Sequence, residues 1–306
     1  MDFLEIKKPI FIIGVPRSGT TVLDGILGQH PEIGWFSRRT LEKILSKEFL
    51  KFVYLRRRIF EMRKYDYPID DFGPRFFTTV QPPVEAGYLW DEIFSGSWNV
   101  RITDDKVPFL KKIIIKTLVE DKKTRFLAKY PKLSIHISLI MKIFPDAKFI
   151  HIIRDGRAVV NSMIERSKEN KYGYFGIPLG GLNQIHMISN DKIKKHALQW
   201  KLVIEKIKSD SKNLNPKQFL ELKFEDFVVT PEQHLKKITE FCELEQFDYV
   251  YKKDGTIVNS EGKKAYGWEM MTIKELSDPN KKYTNNLNIA EIEKHIGSTL
   301  KDLGYN

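Results

Sequence analysis

Four short runs of apolar, β-branched and aromatic residues punctuate the chain: Pro9 to Ile13, Arg125 to Ala128, Lys148 to Ile153 and Gln218 to Lys223. All are too short for amphipathic helices and read as buried strands. Between and after them the period changes. Thr20 to Gln29, Ser134 to Phe144, Ala158 to Ser167 and Lys192 to Ser209 place apolar residues at helical spacing. Strands alternating with helices predict an α/β fold of three layers, a central parallel sheet flanked by helices, because each crossover lays a helix on the sheet. In such sheets a ligand binds beyond the carboxyl ends of the strands. The segments that follow the strands are therefore where chemistry is sought.

No internal repeat, low-complexity segment or Gly/Ser/Pro-rich linker divides the 306 residues, so one domain over 1–306 is expected. No stretch approaches the roughly 18 consecutive apolar residues of a membrane span. The start, Met1 to Lys8, runs almost directly into the first strand, so no signal peptide is expected. The single cysteine, Cys242, excludes an intrachain disulfide and a multi-cysteine zinc site. The seven histidines show no metal-ligand spacing, so no metal is expected. A cytoplasmic location is the simplest expectation. The net charge of +11 favours an anionic partner. The basic cluster of Arg56, Arg57, Arg58, Arg63 and Lys64 sits in a helix-like pattern that reads as a solvated face, and no nucleic-acid-binding motif accompanies it.

The first strand ends in Gly14-Val15-Pro16-Arg17-Ser18-Gly19-Thr20-Thr21 and a helix follows. A strand, a Gly-punctuated turn and a helix N-terminus cradle phosphate with backbone N–H groups. The two glycines have Walker A spacing, but Thr20-Thr21 stands where a nucleotide triphosphatase has Lys-Ser/Thr. The cation is instead Arg17, inside the loop, and such a site suits a terminal sulfate. The third strand carries the second feature. Arg154 falls at its carboxyl end, in Arg154-Asp155-Gly156-Arg157, and Ser162 follows about two helical turns later. A guanidinium and a hydroxyl so placed can share a second phosphate; the plainer reading pairs Arg154 with Asp155 or Asp146.

Pro16-Arg17-Ser18-Gly19-Thr20-Thr21 resembles the 5′-phosphosulfate loop of sulfotransferases that use 3′-phosphoadenosine 5′-phosphosulfate (PAPS), in the branch of the tyrosylprotein sulfotransferases and their bacterial relatives. The likeness runs on through His30-Pro31. The segment from Phe144 to Ala158 with Ser162 resembles the family's 3′-phosphate motif, and Leu222 to Phe227 with Thr230-Pro231-Glu232 resembles its Tyr-Glu-Asp-Leu…Pro-Glu segment, Phe224 replacing the Tyr. The resemblance implies a P-loop-like fold and an enzyme that moves the sulfuryl group of PAPS in line onto a hydroxyl or similar acceptor, leaving the product PAP. Pro16, Arg17, Ser18, Gly19, Thr20, Thr21, Arg154 and Ser162 would hold the nucleotide, and Ser260 would add a contact from a late loop. Glu225 and Asp226 are expected to order a strand-to-helix turn.

In-line transfer passes through a loose transition state, so cations must meet the leaving charge. Arg17 is the first candidate. Lys129 is the second, matching by resemblance the catalytic Lys of an Asn-Lys-Asp-Pro segment in which Ala128 and Tyr130 replace the Asn and Asp. The acceptor's proton needs a base. The related enzymes place a Glu where this chain has Arg38, so the candidates are Glu85, set in an apolar and aromatic stretch with Tyr88 and Trp90, then Glu42, with His136 and His151 as further alternatives. A mostly helical insertion around 36–124 would form the acceptor side. Its aromatic content suits a sugar, lipid, phenolic or peptide acceptor, while Arg38, Arg39 and the Arg56 cluster suit an acidic one. Trp268 in the last third reads as a core or loop aromatic. A kinase, a nucleotide-binding protein without turnover and a nucleic-acid-binding module are the rival readings.

Overall fold

The computed structural model describes residues 5–37, 41, 85–94, 106–168, 191–248, 250–251, 257–258 and 289–305. Their centre is a five-stranded sheet of β1 (Ile10–Ile13), β2 (Ile33–Gly34), β3 (Arg125–Lys129), β4 (Lys148–Ile153) and β5 (Phe219–Lys223). The spatial order is β2-β3-β1-β4-β5 and all four pairings are parallel. Ile12 of β1 lies between Lys129 of β3 and Ile150 of β4. That register brings the carboxyl ends of the three central strands together.

The strands are continuously apolar because both faces are covered. Phe11, Ile13, Phe126, Phe149 and Ile153 point to one side, where they meet α2 (Gly87–Phe94), α3 (Lys106–Asp121), α4 (Ile137–Ile143), α5 (Gly156–Lys168), α6 (Lys192–Ser211) and α9 (Ile289–Asp302). Ile10, Ile12, Leu127, Ile150 and Ile152 point to the other, under α1 (Thr20–Leu27), α7 (Phe224–Val229) and α8 (Pro231–Cys242). The result is the expected three-layer α/β fold. A separate antiparallel pair, β6 (Val250–Tyr251) and β7 (Ile257–Val258), lies between α8 and α9 in the chain. Of the expected insertion at 36–124, the described part is mainly the helices α2 and α3.

Three local departures from the sequence pattern have physical reasons. β3 runs one residue further than its apolar run, to Lys129. The helix expected from Ser134 begins instead with a tight turn over Pro131–Ile135, and α4 follows after His136. β2 has only two residues, too few to leave a periodicity. Arg125 is buried on β3 and donates to the carbonyls of Cys242, Glu243 and Lys8, setting a cation at the end of α8 where unpaired carbonyls favour one. Burial pushes the Cys242 thiol up to about 12, so the lone cysteine is a core residue and not a nucleophile.

Candidate functional site

The loop from Gly14 to Thr21 is held from both sides. A Cβ on Gly14 would lie 2.7 Å from the Ile152 carbonyl oxygen of the neighbouring strand, so only glycine lets β1 and β4 stay paired as the loop departs. The Ser134 hydroxyl clamps that residue, accepting from the Gly14 N–H at 2.9 Å and donating to its carbonyl at 3.0 Å. Ser18 N–H donates to the Val15 carbonyl at 3.1 Å and closes the turn. Gly19 sits at φ 98° in the left-handed region, with the Phe224 ring 2.4 Å from where a Cβ would be. Arg17 also takes a left-handed φ, 76°. For a non-glycine residue that is a strained choice characteristic of ligand-clamping turns. The Ser18 hydroxyl is buried in the loop without a hydrogen-bond partner, and the first N–H groups of α1 have no partner within the helix.

β4 brings the Arg154 turn alongside the loop. Arg17 Nε donates to Ser162 Oγ of α5 at 2.9 Å, and Arg154 Nη1 donates to the Arg17 carbonyl at 3.1 Å. The loop after β1 and the turn after β4 are thus joined through their cations. Asp155 pairs with Arg157 at 2.7 Å, and Arg157 extends to Glu293 of α9 at 2.8 Å. The turn carrying Arg154 is fixed from below by Glu225, which accepts from Asp155 N–H at 3.0 Å and from the Tyr305 hydroxyl at 2.9 Å. Glu225 therefore braces the turn after β4, a different turn from the one between β5 and α7 that the sequence suggested. Burial, with Glu225 alongside, pushes the Tyr305 phenol well above its usual range, so it remains a donor.

Lys129, at the carboxyl end of β3, completes the arrangement. Its buried ammonium donates to Thr21 Oγ1 at 3.1 Å and forms an ion pair with Glu85. Glu85 reaches it because Gly87, the first residue of α2, lets the Tyr130 ring into the space a Cβ would fill, 2.8 Å away. Lys129 and Glu85 line a tight recess with Asp24, Trp35, Phe36 and Trp90. Asp24 stands one turn after Thr21 on α1 and is only 6% exposed. Burial raises its carboxyl to about 7; Lys129 lowers it and Glu85 raises it.

Pro16, Arg17, Ser18, Gly19, Thr20, Thr21, Lys129, Arg154, Ser162 and Glu85 are gathered at one end of the sheet. His136 stacks on Phe94 with 4.9 Å between ring centres, and His151 is buried in β4 against Glu221 at 3.1 Å; both pack in the fold. Arg38, Arg39, Glu42, Ser260, Trp268 and the Arg56 cluster lie outside the described residues. Two residues at the site escaped the sequence reading. Ser134 is 120 positions from the glycine it holds, and Asp24 looks like an ordinary polar residue of an amphipathic helix. The only sequence signal for Asp24 is a carboxylate three residues after the second threonine of the loop, on the same helical face. Among the described residues, no group of three or more His, Cys, Asp or Glu is arranged to hold a metal ion, and no helix is long and apolar enough to cross a membrane.

Known proteins share this chain's sequence and fold to a measurable degree. Protein-tyrosine sulfotransferase 1 of Danio rerio is 26% identical over 296 residues, covering 96% of this chain and 67% of that protein. Protein-tyrosine sulfotransferase A of Caenorhabditis elegans is 25% identical over 243 residues, covering 79% of this chain and 51% of that protein. The chain thus spans from about half to two-thirds of the length of these relatives. Among solved structures, a sulfotransferase from Mycobacterium tuberculosis superposes with a TM-score of 0.56 at 14% identity, over 96% of this chain and 78% of that one. The sulfotransferase domain of the Synechococcus PCC 7002 olefin synthase superposes with a TM-score of 0.53 at 16% identity, over 100% and 98%. These two share the P-loop-like fold. Residues 9–249 match the sulfotransferase family as a whole, and the chain belongs to that family.

Proposed function

We propose that the protein transfers the sulfuryl group of PAPS to an acceptor hydroxyl by in-line displacement. The observation that carries this reading is the junction of two anion-binding elements, the Gly14–Thr21 loop and the Arg154 turn, through the Arg17–Ser162 and Arg154–Arg17 hydrogen bonds. PAPS bears a phosphosulfate on one side of its ribose and a phosphate on the other, so it needs two such elements on one sheet. The residues present fit it. Loop N–H groups and the unpartnered Ser18 hydroxyl suit the 5′ side, and Arg154 with Ser162 suits the 3′ side. Arg17 and Lys129 meet the charge that develops on the leaving phosphate. Lys129 is held to Thr21 for this, at the loop rather than in solvent.

The acceptor enters from the cleft side, where Glu85 and α2 belong to the 36–124 segment. Glu85, the base expected from the sequence, is ion-paired to Lys129 at the edge of the loop. The names of the relatives make a tyrosyl phenol the first acceptor to test. Calorimetry with PAP and with ATP in EDTA, followed by measurement of PAP formed from PAPS with tyrosine-containing peptides, tests the reading. Tight PAP binding without added divalent metal, and PAP formation that depends on the acceptor, are expected. Tighter ATP binding, or strict dependence on Mg²⁺, overturns it; PAP binding without turnover would make the chain a nucleotide-binding protein.

A further inference from the structure

We infer that Asp24 takes the proton of a phenolic acceptor during sulfuryl transfer, while Glu85 holds Lys129 in place. The inference rests on the PAPS-dependent reading above. Thr21 and Asp24 occupy one face of α1; the first touches Lys129 and the second lines the same recess as Lys129 and Glu85. Trp35, Phe36 and Trp90 surround the two carboxylates there. Glu85 is engaged with Lys129, so protonating it would dissolve the ion pair that sets the cation. Asp24 has no such duty.

The environment of Asp24 agrees with that role. α1 packs on β1 and β3. β1 presents no charged group, β3 presents Lys129, and the stretch before α2 presents Glu85. These two charges act on a carboxyl whose desolvation dominates, with no hydrogen bond among the influences, and leave it titrating at about 7. Burying a carboxyl costs stability, and a base is most effective when its pKa lies near the working pH.

The step balances without a further reactant. The acceptor oxygen forms a bond to sulfur as the bond between sulfur and the 5′-phosphate oxygen breaks. The electron pair of the broken bond leaves on PAP, where Arg17 and Lys129 meet it. The phenolic proton passes to an Asp24 carboxylate oxygen and then to solvent.

The test compares two acceptors: p-cresol, which must lose its proton, and pentafluorophenol, which is already a phenolate at neutral pH. In Asp24→Asn, kcat with p-cresol should fall about 100-fold or more, the usual contribution of a general base, while kcat with pentafluorophenol and PAP affinity stay close to wild type. The wild-type kcat for p-cresol should rise with pH to a plateau above about 7, and Asp24→Asn should lose that rise while Glu85→Gln keeps it. Equal losses with both phenols, no loss, or a rise that disappears in Glu85→Gln and survives in Asp24→Asn would each overturn the proposal. Should Asp24→Asn not fold, the wild-type profiles decide: a rise with p-cresol alone supports the role, and the same profile for both phenols removes it. A wild type that binds PAP and sulfates neither p-cresol nor a tyrosine peptide ends this proposal alone. A wild type that binds no PAP ends the PAPS reading itself.

Discussion

The guanidinium of Arg154 lies 4.7 Å above the centre of the Phe224 ring. The same ring fills the space beside Gly19, so one buried aromatic is both the floor under the Arg154 cation and a wall of the Gly14–Thr21 loop. Where the related enzymes carry a Tyr, this chain gives up a hydroxyl and keeps the ring face. Phe224→Leu should preserve most of the apolar volume and lose the stacking. PAP affinity should fall roughly tenfold, in keeping with the ~1–2 kcal/mol of a desolvated cation–π contact. Calorimetry on the folded variant checks this, and unchanged affinity would mean that the ring does not position Arg154.

Arg154 and Lys129 should fail in different ways. Arg154→Ala removes a contact made equally before and during transfer, so PAP binding should weaken by roughly 1.5–3 kcal/mol with little further effect on kcat. Lys129→Ala removes a charge matched to the transition state, so kcat should drop while PAP affinity changes little. Steady-state kinetics beside PAP titrations separate the two. A Lys129→Ala enzyme with normal turnover would remove Lys129 from the chemistry.

Gly19→Ala should abolish nucleotide binding while leaving the fold cooperative. An alanine Cβ would meet the Phe224 ring at 2.4 Å in a left-handed backbone conformation, and the loop must shift to relieve it. PAP titration and a thermal melt of the variant test this; wild-type affinity would show that the loop tolerates a side chain there.

Asp24→Asn should stabilise the protein at neutral pH. Below 3.8 the carboxyl is neutral whether the chain is folded or not. As pH rises above that value the unfolded chain ionises first, while the folded protein keeps its proton until about 7. Wild-type stability therefore declines across this window relative to the asparagine variant, and the gap is constant above it. The distance from 3.8 to about 7 corresponds to a cost on the order of 4 kcal/mol. Melting temperatures of both proteins from pH 4 to 8 check the sign; a gap that narrows with rising pH contradicts the buried, raised carboxyl.

The sheet was legible because its strands are covered on both sides, which leaves unbroken apolar runs such as Phe149 to Ile153. The two turns that meet at the site stood out because glycine, arginine and hydroxyl residues cluster there at strand ends. β2 was not legible, since Ile33 and Gly34 are too few to show a period. Nor was the role of Ser134, whose hydroxyl is recruited by a glycine on a different strand. Asp24 looks solvent-facing on its own helix. It is buried by Trp35, Glu85 and Lys129, which come from three separate segments, and only the assembled fold reveals that its carboxyl is starved of water.

The chain of contacts from Tyr305 through Glu225 to the Asp155 amide turns one backbone proton into a reporter. That amide exchanges with solvent only when Glu225 lets go, and Glu225 is steadied by a phenol from the segment that follows α9. Hydrogen exchange at position 155 would therefore read out the docking of the final helix as well as occupancy of the neighbouring nucleotide turn. Linkage of this kind ties Tyr305, after α9, to the rigidity of the Arg154 turn.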